Sequence, residues 1–247
     1  MPASLPVLAL CGLLNDERLW RHPAQVLGAD HPFTIVPTTT ADSMAALARD
    51  ALARAPAGRF ALAGFSMGGY VALEILRQAP DRVAALAMVD SSARPDTPQA
   101  SDGRRQAIAA AAKPGGAAAA FASLLPRLLH PDHVARPDLV EALRAMSDAV
   151  GVDGFVRQQT ANIGRVDSRD LLAKVRGPAL VVVGEADAVT PPDVAREMAD
   201  GIPGARLVVV PQAGHMTLLE QPDAVTDALR AWLVEAVAAE AGEPRGR

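Results

Sequence analysis

Cysteine and aromatic residues are scarce in this sequence. One cysteine, Cys11, occurs among 247 residues. A single thiol excludes a disulfide framework within the chain, which is typical of proteins from a reducing compartment, and we therefore expect a cytoplasmic protein. Aromatic residues make up 3% of the chain although hydrophobic residues make up 50%. Alanine supplies much of the hydrophobic half; it favours helices but buries little area per residue, so the core must be large.

Long apolar runs and basic stretches are also missing. No run reaches the roughly 18 apolar residues of a membrane span, so the sequence predicts no membrane partner. The net charge is −4, and the lack of a basic stripe argues against nucleic acid as a partner. The apolar start "MPASLPVLALCGLL" has no basic residue before it and is interrupted by Pro6. We interpret it as a buried strand rather than a targeting segment.

Six short apolar runs alternate with helical patterns. They are "LPVLAL" (5–10), "FTIV" (33–36), "FALAG" (60–64), "VAALAMV" (83–89), "ALVVVG" (179–184) and "RLVVVP" (206–211). Continuous apolar runs are typical of parallel strands that are covered on both faces. The alternation predicts an α/β fold, with a doubly wound, mostly parallel sheet of about six strands.

The stretch 92–166 interrupts this alternation. "SSARPDTPQASDGRRQ" (91–106) is rich in proline, serine and charge and is interpreted as a linker. Helical patterns follow it with no strand between them, and "KPGG" (113–116) predicts a break between two helices. We predict a helical cap at 92–166 inserted into a core formed by 1–91 and 167–241, and a disordered tail at 242–247.

Three glycines surround one serine in "AGFSMGGY" (63–70), at the junction of a predicted strand and a predicted helix. The segment 64–68 fits the pattern G-x-S-x-G, in which a sharp turn exposes the serine hydroxyl as a nucleophile. The turn strains the backbone, and the positions two residues away on each side must lack a Cβ. The alternative is an ordinary tight turn. The strand–turn–helix context favours Ser66 as a catalytic nucleophile.

A serine hydroxyl is a poor nucleophile without a base. His215 follows the last predicted strand, at the edge where open parallel sheets place their active sites, and it is the predicted base. The other four histidines are weaker candidates. His130 and His133 in "HPDH" favour a solvated helix end over a metal pair, and His22 and His31 are expected at the surface.

The base in turn needs a carboxylate that fixes its tautomer. Asp187, directly after the fifth predicted strand, is favoured, and the order Ser66, Asp187, His215 is that of one class of serine hydrolases. Asp90 follows the fourth strand at the same edge and remains a rival, although it could instead anchor a loop. Thr190 is predicted to cap the helix that begins in "PPDVAREMADG".

An acyl-transfer site also needs donors for an oxyanion. The backbone N–H of Met67 is the first predicted donor, and the second is expected in "CGLLND", with Leu13 favoured over Leu14. The alternative for this loop is an ordinary strand-to-helix turn. Substrate contacts are further predicted for Leu14, Phe65 and Arg157. No metal and no cofactor are implied.

Two arginines in "FVRQQTANIGRVDSR" could bind a substrate carboxylate. They are Arg157 and Arg165, and such a role would suit elimination or carbon–carbon cleavage of a small carboxylate substrate. The favoured alternative is that they face solvent or form ion pairs with Asp167 and Asp170.

These motifs resemble the α/β-hydrolase family. "GFSMGG", "GEADAVTP" and "AGHM" resemble its nucleophile, acid and base segments, and "CGLLNDERLW" resembles its anion-hole loop. The resemblance covers about residues 5–90 and 170–238, and within it the chain is similar to small bacterial esterases and enol-lactonases with a compact helical cap. Cys11-Gly12 stands where the family usually has His-Gly. A serine at position 66 argues against the dehalogenase and epoxide-hydrolase branches, which attack with a carboxylate.

The resemblance implies a serine hydrolase that cleaves small-molecule carboxylic esters or lactones through an acyl-enzyme. Two alternatives stay open. One is an enzyme of this fold that keeps the triad but carries out carbon–carbon cleavage or elimination. The other is a non-enzymatic ligand receptor of the same fold, against which the intact triad residues argue.

Overall fold

One parallel sheet organises the molecule, for which a computed structural model describes residues 4–113 and 116–242. Its strands are β1 (Val7–Leu10), β2 (Phe33–Val36), β3 (Phe60–Phe65), β4 (Val83–Val89), β5 (Ala179–Gly184) and β6 (Arg206–Val210). They lie in the order β2-β1-β3-β4-β5-β6, and every pairing is parallel. The predicted doubly wound α/β fold is therefore confirmed.

Helices cover both faces of the sheet. They are α1 (Arg21–Leu27), α2 (Met44–Arg54), α3 (Met67–Gln78), α4 (Pro98–Ala111), α5 (Gly116–Leu128), α6 (Pro137–Ile163), α7 (Arg169–Leu172), α8 (Pro192–Gly201), α9 (Thr217–Glu220) and α10 (Pro222–Glu240). Successive strand residues point to opposite faces. One face packs on α1 and α10, and the other packs on α2, α3 and α8. Within the described ranges, no helix has the length and apolar character needed to cross a bilayer.

The segment between β4 and β5 holds the helices α4, α5, α6 and α7, which are joined by turns and irregular stretches. No strand occurs among its described residues. The interpretation of 91–106 as a linker is wrong from Pro98 onward, because Thr97 caps α4 by accepting a hydrogen bond from Ala100 N at 3.1 Å. Local capping chemistry thus overrides a composition typical of loops. The domain boundaries at 91/92 and 166/167 stay predictions.

Two predicted irregular segments fall partly outside the described residues. The helix α4 ends at Ala111 and α5 begins at Gly116, and residues 114–115 of the predicted "KPGG" break are not described. Of the predicted tail at 242–247, Gly242 is described and the rest lies outside the described residues. The long helix α6 is kinked at Gly151, whose φ of 68° and ψ of 177° are not helical.

The strand order creates a crevice at the carboxyl edge of the sheet. The chain leaves β1 toward β2 on one side and then crosses to β3 on the other, so the order reverses between β1 and β3. Open α/β sheets bind their ligands at such a reversal. The loop after β1 and the turn after β3 meet there, which places the predicted anion-hole loop beside Ser66.

Candidate active site

Ser66 occupies the single residue between β3 and α3. Its φ of 50° and ψ of −117° lie in a region that residues with a side chain rarely adopt, so the turn stores strain. Backbone contacts hold it in place. Ser66 N donates to the Val89 carbonyl at 2.9 Å, and the Ser91 hydroxyl donates to the Ser66 carbonyl at 2.8 Å. The neighbouring strand β4 therefore supports the strained turn.

Glycine at positions 64 and 68 is required by close backbone approach. A Cβ added to Gly64 would lie 2.6 Å from the Gly68 carbonyl oxygen and 2.6 Å from Gly69 Cα. A Cβ added to Gly68 would collide with the Leu10 carbonyl. Both contacts are with backbone, which cannot move aside without distorting the sheet. The sequence pattern predicted that these two positions must lack a Cβ, and these distances give the steric reason.

The three residues predicted as nucleophile, base and acid form one hydrogen-bonded chain. His215 Nε2 lies 2.9 Å from Ser66 Oγ, and His215 Nδ1 lies 2.9 Å from Asp187 Oδ2. All three residues are buried, with relative exposures of 9% for Ser66 and 3% for each of the others. In the tautomer that fits these contacts, Nδ1–H donates to Asp187 and Nε2 accepts from the serine hydroxyl.

Asp187 is held as a carboxylate by several donors. Val189 N and Thr190 N donate to Oδ1 at 2.7 and 2.9 Å, and the Thr190 hydroxyl donates to Oδ2 at 2.8 Å. Burial favours the neutral acid, but the charge and the hydrogen bond of His215, together with the backbone N–H groups of Thr190 and Val189, outweigh it. The pKa of Asp187 is therefore lowered from its usual value. The carboxylate is thereby kept ready to stabilise an imidazolium.

Thr190 has a different role from the predicted one. The N-cap residue of α8 is Pro191, and it makes no side-chain capping bond. The Thr190 hydroxyl instead binds Asp187 and lies 3.5 Å from His215 Nδ1. The prediction of a helix cap was wrong because a buried carboxylate three residues earlier is a stronger acceptor than the start of a helix. The spacing of an aspartate and a threonine at i and i+3 was the available signal.

Asp90, the rival acid, is also buried but faces other partners. Its carboxylate accepts hydrogen bonds from Gly184 N at 3.0 Å and from the Thr217 hydroxyl. Among the described residues it makes no hydrogen bond to His215. Burial, and then the nearby negative charge of Asp187, raises the pKa of Asp90 well above its usual value. The geometry corresponds to the loop-anchoring alternative, since Asp90 ties the end of β4 to β5 and α9.

Replacing Asp90 with asparagine should change the pH dependence of stability. Because the folded-state pKa of Asp90 is raised, the folded protein holds a proton that the unfolded chain releases above about pH 4. This contribution to stability is therefore fully present at lower pH and is lost as the pH rises toward the folded-state pKa. Asparagine can accept from Gly184 N and donate to Thr217 without ionising.

We expect Asp90→Asn to fold and to gain stability relative to the wild type as the pH rises from about 4 to 7. Urea unfolding at several pH values measures this difference. A difference that shrinks over the same range would contradict the raised pKa.

The backbone N–H groups of Leu13 and Leu14, in the loop after β1, differ in their hydrogen bonding. Leu14 N donates to Gln158 Oε1 at 3.0 Å, so the alternative that Leu14 supplies the oxyanion donor is wrong for this conformation. The Leu13 N–H has no acceptor among the described residues. Met67 is the first residue of α3, where an N–H has no partner within the helix. The assignment of Met67 and Leu13 as oxyanion donors stays a prediction, as does substrate contact by Leu14.

Phe65 and the cap arginines are engaged within the protein. The Phe65 ring lies 5.3 Å from the His215 ring and is 1% exposed, so it supports the imidazole from below the surface. Arg157 Nε donates to the Thr39 carbonyl at 2.7 Å. Arg165 forms an ion pair with Asp96 and lies over the Tyr70 ring at 4.4 Å. Substrate contact by Phe65 and Arg157 stays a prediction.

The ion-pair partners predicted for these arginines were wrong. Asp167 pairs with Arg169, and Asp170 pairs with Lys174. Both pairs are short-range contacts within two and four residues along the chain. The two carboxylates are thus paired with cations that lie close to them in the chain.

The remaining histidines are half-buried and bonded. His22 contacts Thr226 Oγ1 at 2.9 Å and Asp223 at 3.1 Å, and His31 contacts the Leu5 carbonyl at 3.0 Å. The prediction placed both histidines at the surface, whereas in the structure each is partly buried by contacts with neighbouring segments.

Glu220 binds the histidine pair to the loop that carries His215. Its carboxylate accepts from His130 N at 2.7 Å and from Gly214 N at 2.8 Å, and it lies 2.9 Å from His133 Nδ1. The predicted solvated helix end was therefore wrong, because His133 is half-buried against this carboxylate. In residues 4–113 and 116–242, no group of three potential ligands is arranged to bind a metal. Glu220 stands five residues after His215, and no sequence motif pointed to this role.

Cys11 lies behind the anion-hole loop and is fully buried. Burial, and then the negative charges of Glu17 and Asp16, raises the pKa of its thiol well above the usual value. A thiol that stays protonated is a poor nucleophile.

We expect Cys11→Ser and Cys11→Ala to keep kcat/KM within a factor of about three of the wild type, since neither removes a reacting group. Parallel assays of the two variants and Ser66→Ala measure this. Loss of activity in both cysteine variants as severe as that of Ser66→Ala would mean that the thiol takes part in the chemistry.

Comparison with known proteins places this chain among α/β hydrolases. A family model described as the alpha/beta hydrolase fold matches residues 21–222. A thermophilic esterase from Thermogutta terrifontis is 31% identical, with a TM-score of 0.84 over 94% of this chain and 90% of the esterase. The enol-lactonase from Burkholderia xenovorans LB400 is 25% identical, with the same TM-score over 94% of this chain and 93% of the lactonase.

Curated relatives are similar over part of their length. A pimeloyl-[acyl-carrier protein] methyl ester esterase from Neisseria meningitidis is 32% identical over 197 residues, which is 74% of this chain and 59% of that protein. A dihydrolipoyllysine-residue acetyltransferase component of an acetoin cleaving system from Pseudomonas putida is 36% identical over 70% of this chain and 45% of its own length. This chain thus spans about half of these two relatives. With the fold, the elbow turn and these matches together, the chain belongs to the α/β-hydrolase family.

Proposed function

We propose that this protein is a serine hydrolase of small-molecule carboxylic esters or lactones. The observation that carries the proposal is the buried hydrogen-bonded chain from Ser66 Oγ through His215 to Asp187. This is the arrangement that converts a hydroxyl into a nucleophile in acyl transfer. The similarity to an esterase and to an enol-lactonase, each at a TM-score of 0.84, supports ester and lactone substrates.

The proposed reaction begins when a substrate carbonyl is bound beside the strained turn. Ser66 Oγ attacks the carbonyl carbon while His215 Nε2 accepts the hydroxyl proton, and Asp187 stabilises the imidazolium that forms. The N–H groups of Met67 and Leu13 would bind the developing oxyanion. His215 then gives its proton to the leaving alkoxide oxygen. For an ester the alcohol departs; for a lactone it stays attached to the acyl group.

Hydrolysis of the acyl-enzyme repeats these steps with water. His215 removes a proton from a water molecule, which attacks the acyl carbonyl, and the proton is then returned to Ser66 Oγ as the product acid leaves. The buried position of the three residues keeps their hydrogen bonds in a low dielectric, where they are stronger than in water. No metal or cofactor is needed for any step of this scheme.

The contacts of Arg165 do not favour the alternative chemistry. Such chemistry on a carboxylate substrate would be favoured by a cation beside the site, but the charge of Arg165 is paired with Asp96. Arg157 donates its Nε–H to the Thr39 carbonyl and keeps its charge, so it is the arginine that this alternative would have to use. Ester or lactone hydrolysis makes no such demand.

A panel of p-nitrophenyl esters of increasing acyl length and of small lactones tests the proposal. We expect burst kinetics with the activated esters, since an acyl-enzyme accumulates when its hydrolysis is slower than its formation. Turnover should disappear after treatment with a fluorophosphonate. A purified, folded protein that neither hydrolyses any member of the panel nor reacts with the fluorophosphonate would contradict the proposal and favour the receptor alternative.

A further inference from the structure

A glutamine of the cap helix α6 is inserted into the anion-hole loop. Gln158 is fully buried, although it lies 144 residues or more from its partners in that loop. Its Oε1 accepts from Leu14 N at 3.0 Å, and its Nε2 donates to the Gly12 carbonyl at 3.2 Å and to Thr38 Oγ1 at 3.3 Å. The Thr38 hydroxyl in turn donates to the Cys11 carbonyl at 3.1 Å.

These contacts fix the direction of the Leu13 N–H, because the carbonyl of one residue and the N–H of the next share a planar peptide unit and point in opposite directions when the unit is trans. The described backbone contains no cis peptide. Since Gln158 binds the Gly12 carbonyl, the Leu13 N–H on the same unit must point away from Gln158. The bond to Leu14 N fixes the following peptide unit, where Leu14 has a φ of 58°.

A primary amide suits this task because of its mixed hydrogen-bonding capacity. It offers an acceptor oxygen and two N–H donors, and all three are used here by Leu14 N, the Gly12 carbonyl and Thr38 Oγ1. An apolar residue of the same size would leave the Leu14 N–H unpaired in a buried place, where such a group costs free energy. Of its described partners, the Gly12 carbonyl would keep only the hydrogen bond from Asn15 N, which is 3.3 Å long. The Leu13–Leu14 peptide unit would then lose its fixed partner, and the Gly12–Leu13 unit would be held less firmly.

The same helix also contacts the side chain of Met67, whose backbone N–H is the other predicted donor. Asn162, one turn after Gln158, directs its Nδ2 to Met67 Sδ at 3.4 Å. Residues four apart lie on one face of a helix, so this face of α6 contacts both the loop that carries Leu13 and the side chain of Met67. The helix α6 is therefore packed on that loop and on the side chain of the residue that follows Ser66.

The geometry points to Gln158 as a positioning residue that aims the Leu13 N–H at the substrate oxyanion and so couples the cap helix to catalysis. This inference rests on the proposed hydrolase function. In this proposal the cap helix contributes to the chemical step by orienting an oxyanion donor, and not only by covering the substrate. Gln158 does not itself touch the reacting atoms.

The test compares Gln158→Met with Gln159→Met. Gln159 is the matched control, because it is the neighbouring glutamine and is also buried. Its Oε1 accepts from Nη1 of Arg104, a residue of α4, at 2.6 Å and, within the described structure, has no bond to the loop after β1. Removing one oxyanion donor lowers the rate roughly 10²–10³-fold, and a misdirected donor should lower it less. We expect Gln158→Met to lose about 10- to 100-fold in kcat with KM changed less than about threefold, and Gln159→Met to stay within threefold of the wild type.

A transition-state analogue separates positioning from a structural role. A trifluoromethyl ketone forms a hemiketal whose oxyanion occupies the hole, so its affinity for Gln158→Met should fall in parallel with kcat/KM. A loss in thermal stability alone would not produce this parallel. Losses in kcat and in analogue affinity that are equal in the two variants would overturn the inference, and so would an effect of Gln158→Met confined to KM.

Gln158→Glu provides a second test if the methionine variant does not fold. A glutamate carboxylate can still accept from Leu14 N but repels the Gly12 carbonyl, whereas the protonated acid can donate to it. The kcat of this variant relative to the wild type should rise as the pH is lowered from 8 to 6, and a ratio independent of pH would overturn the inference. Failure of the proposed function itself is distinguishable, because the wild type would then show no ester or lactone turnover at all.

Discussion

Replacing Ser66 with alanine should lower ester turnover by a factor on the order of 10⁴ or more. The reason is that the variant has no nucleophile, while the residual rate comes from binding and from any oxyanion donors that remain. The fold should be retained, because the contacts that hold the turn to Val89 and Ser91 use the backbone of Ser66 and not its hydroxyl. Steady-state kinetics and thermal unfolding of the purified variant measure the two effects.

Chemical labelling identifies the nucleophile independently of turnover. A fluorophosphonate should attach to Ser66, and the label should be absent from the alanine variant. Ser91 and Ser92 are the internal controls, since both are buried close by in the sequence after β4 and neither is bonded to His215 in the described structure. Peptide mapping that places the label on Ser91 or Ser92 would overturn the assignment of the nucleophile.

The second large effect is expected from Asp187→Asn. An asparagine amide can turn its N–H₂ toward His215 Nδ1 and so favour the tautomer with the proton on Nε2, which cannot accept a proton from Ser66. The analogous change in a serine protease lowers kcat about 10⁴-fold, and we expect a loss of about 10³–10⁴ here. The fold should survive, because Val189 N and Thr190 N can still donate to the amide oxygen.

Asp90→Asn is the matched control for that experiment. It makes the same chemical change at a second buried aspartate of the same sheet edge, but the Asp90 carboxylate is bonded to Gly184 and Thr217. We expect its activity to stay within about tenfold of the wild type, since no group at the reacting atoms is altered. If the two effects were reversed, Asp90 would be the residue that serves the histidine.

Local sequence determined the strands and the elbow. The runs of valine, leucine and alanine predicted all six strands to within two residues of their observed ends, because strands buried on both faces admit few polar residues. The turn at Ser66 was predictable for a similar reason. Gly64 and Gly68 are four residues apart in the chain and lie in close contact. The need for glycine at both positions can therefore be recognised from a short segment of sequence.

Tertiary structure decided which groups meet at the site. Asp90 and Asp187 both follow strands at the same edge, and the sequence left both open as partners of His215. The lateral order of the strands and the rotamers of the two side chains bring Asp187 to 2.9 Å from the imidazole and direct Asp90 to Thr217. The residues next to each aspartate in the sequence determine neither the strand order nor these rotamers.

The partners of Gln158 and Glu220 were even less predictable from the sequence. Each is a buried polar side chain whose partners lie far away in the chain: Gln158 binds a loop 144 residues earlier, and Glu220 binds the segment around His130 some 90 residues earlier. Helical periodicity indicates that such a residue faces inward, but it carries no information about which backbone groups will be there. Those partners exist only once α6 and the loop after β6 have packed on the sheet, because a buried amide or carboxylate must be satisfied by whatever donors and acceptors the packing supplies.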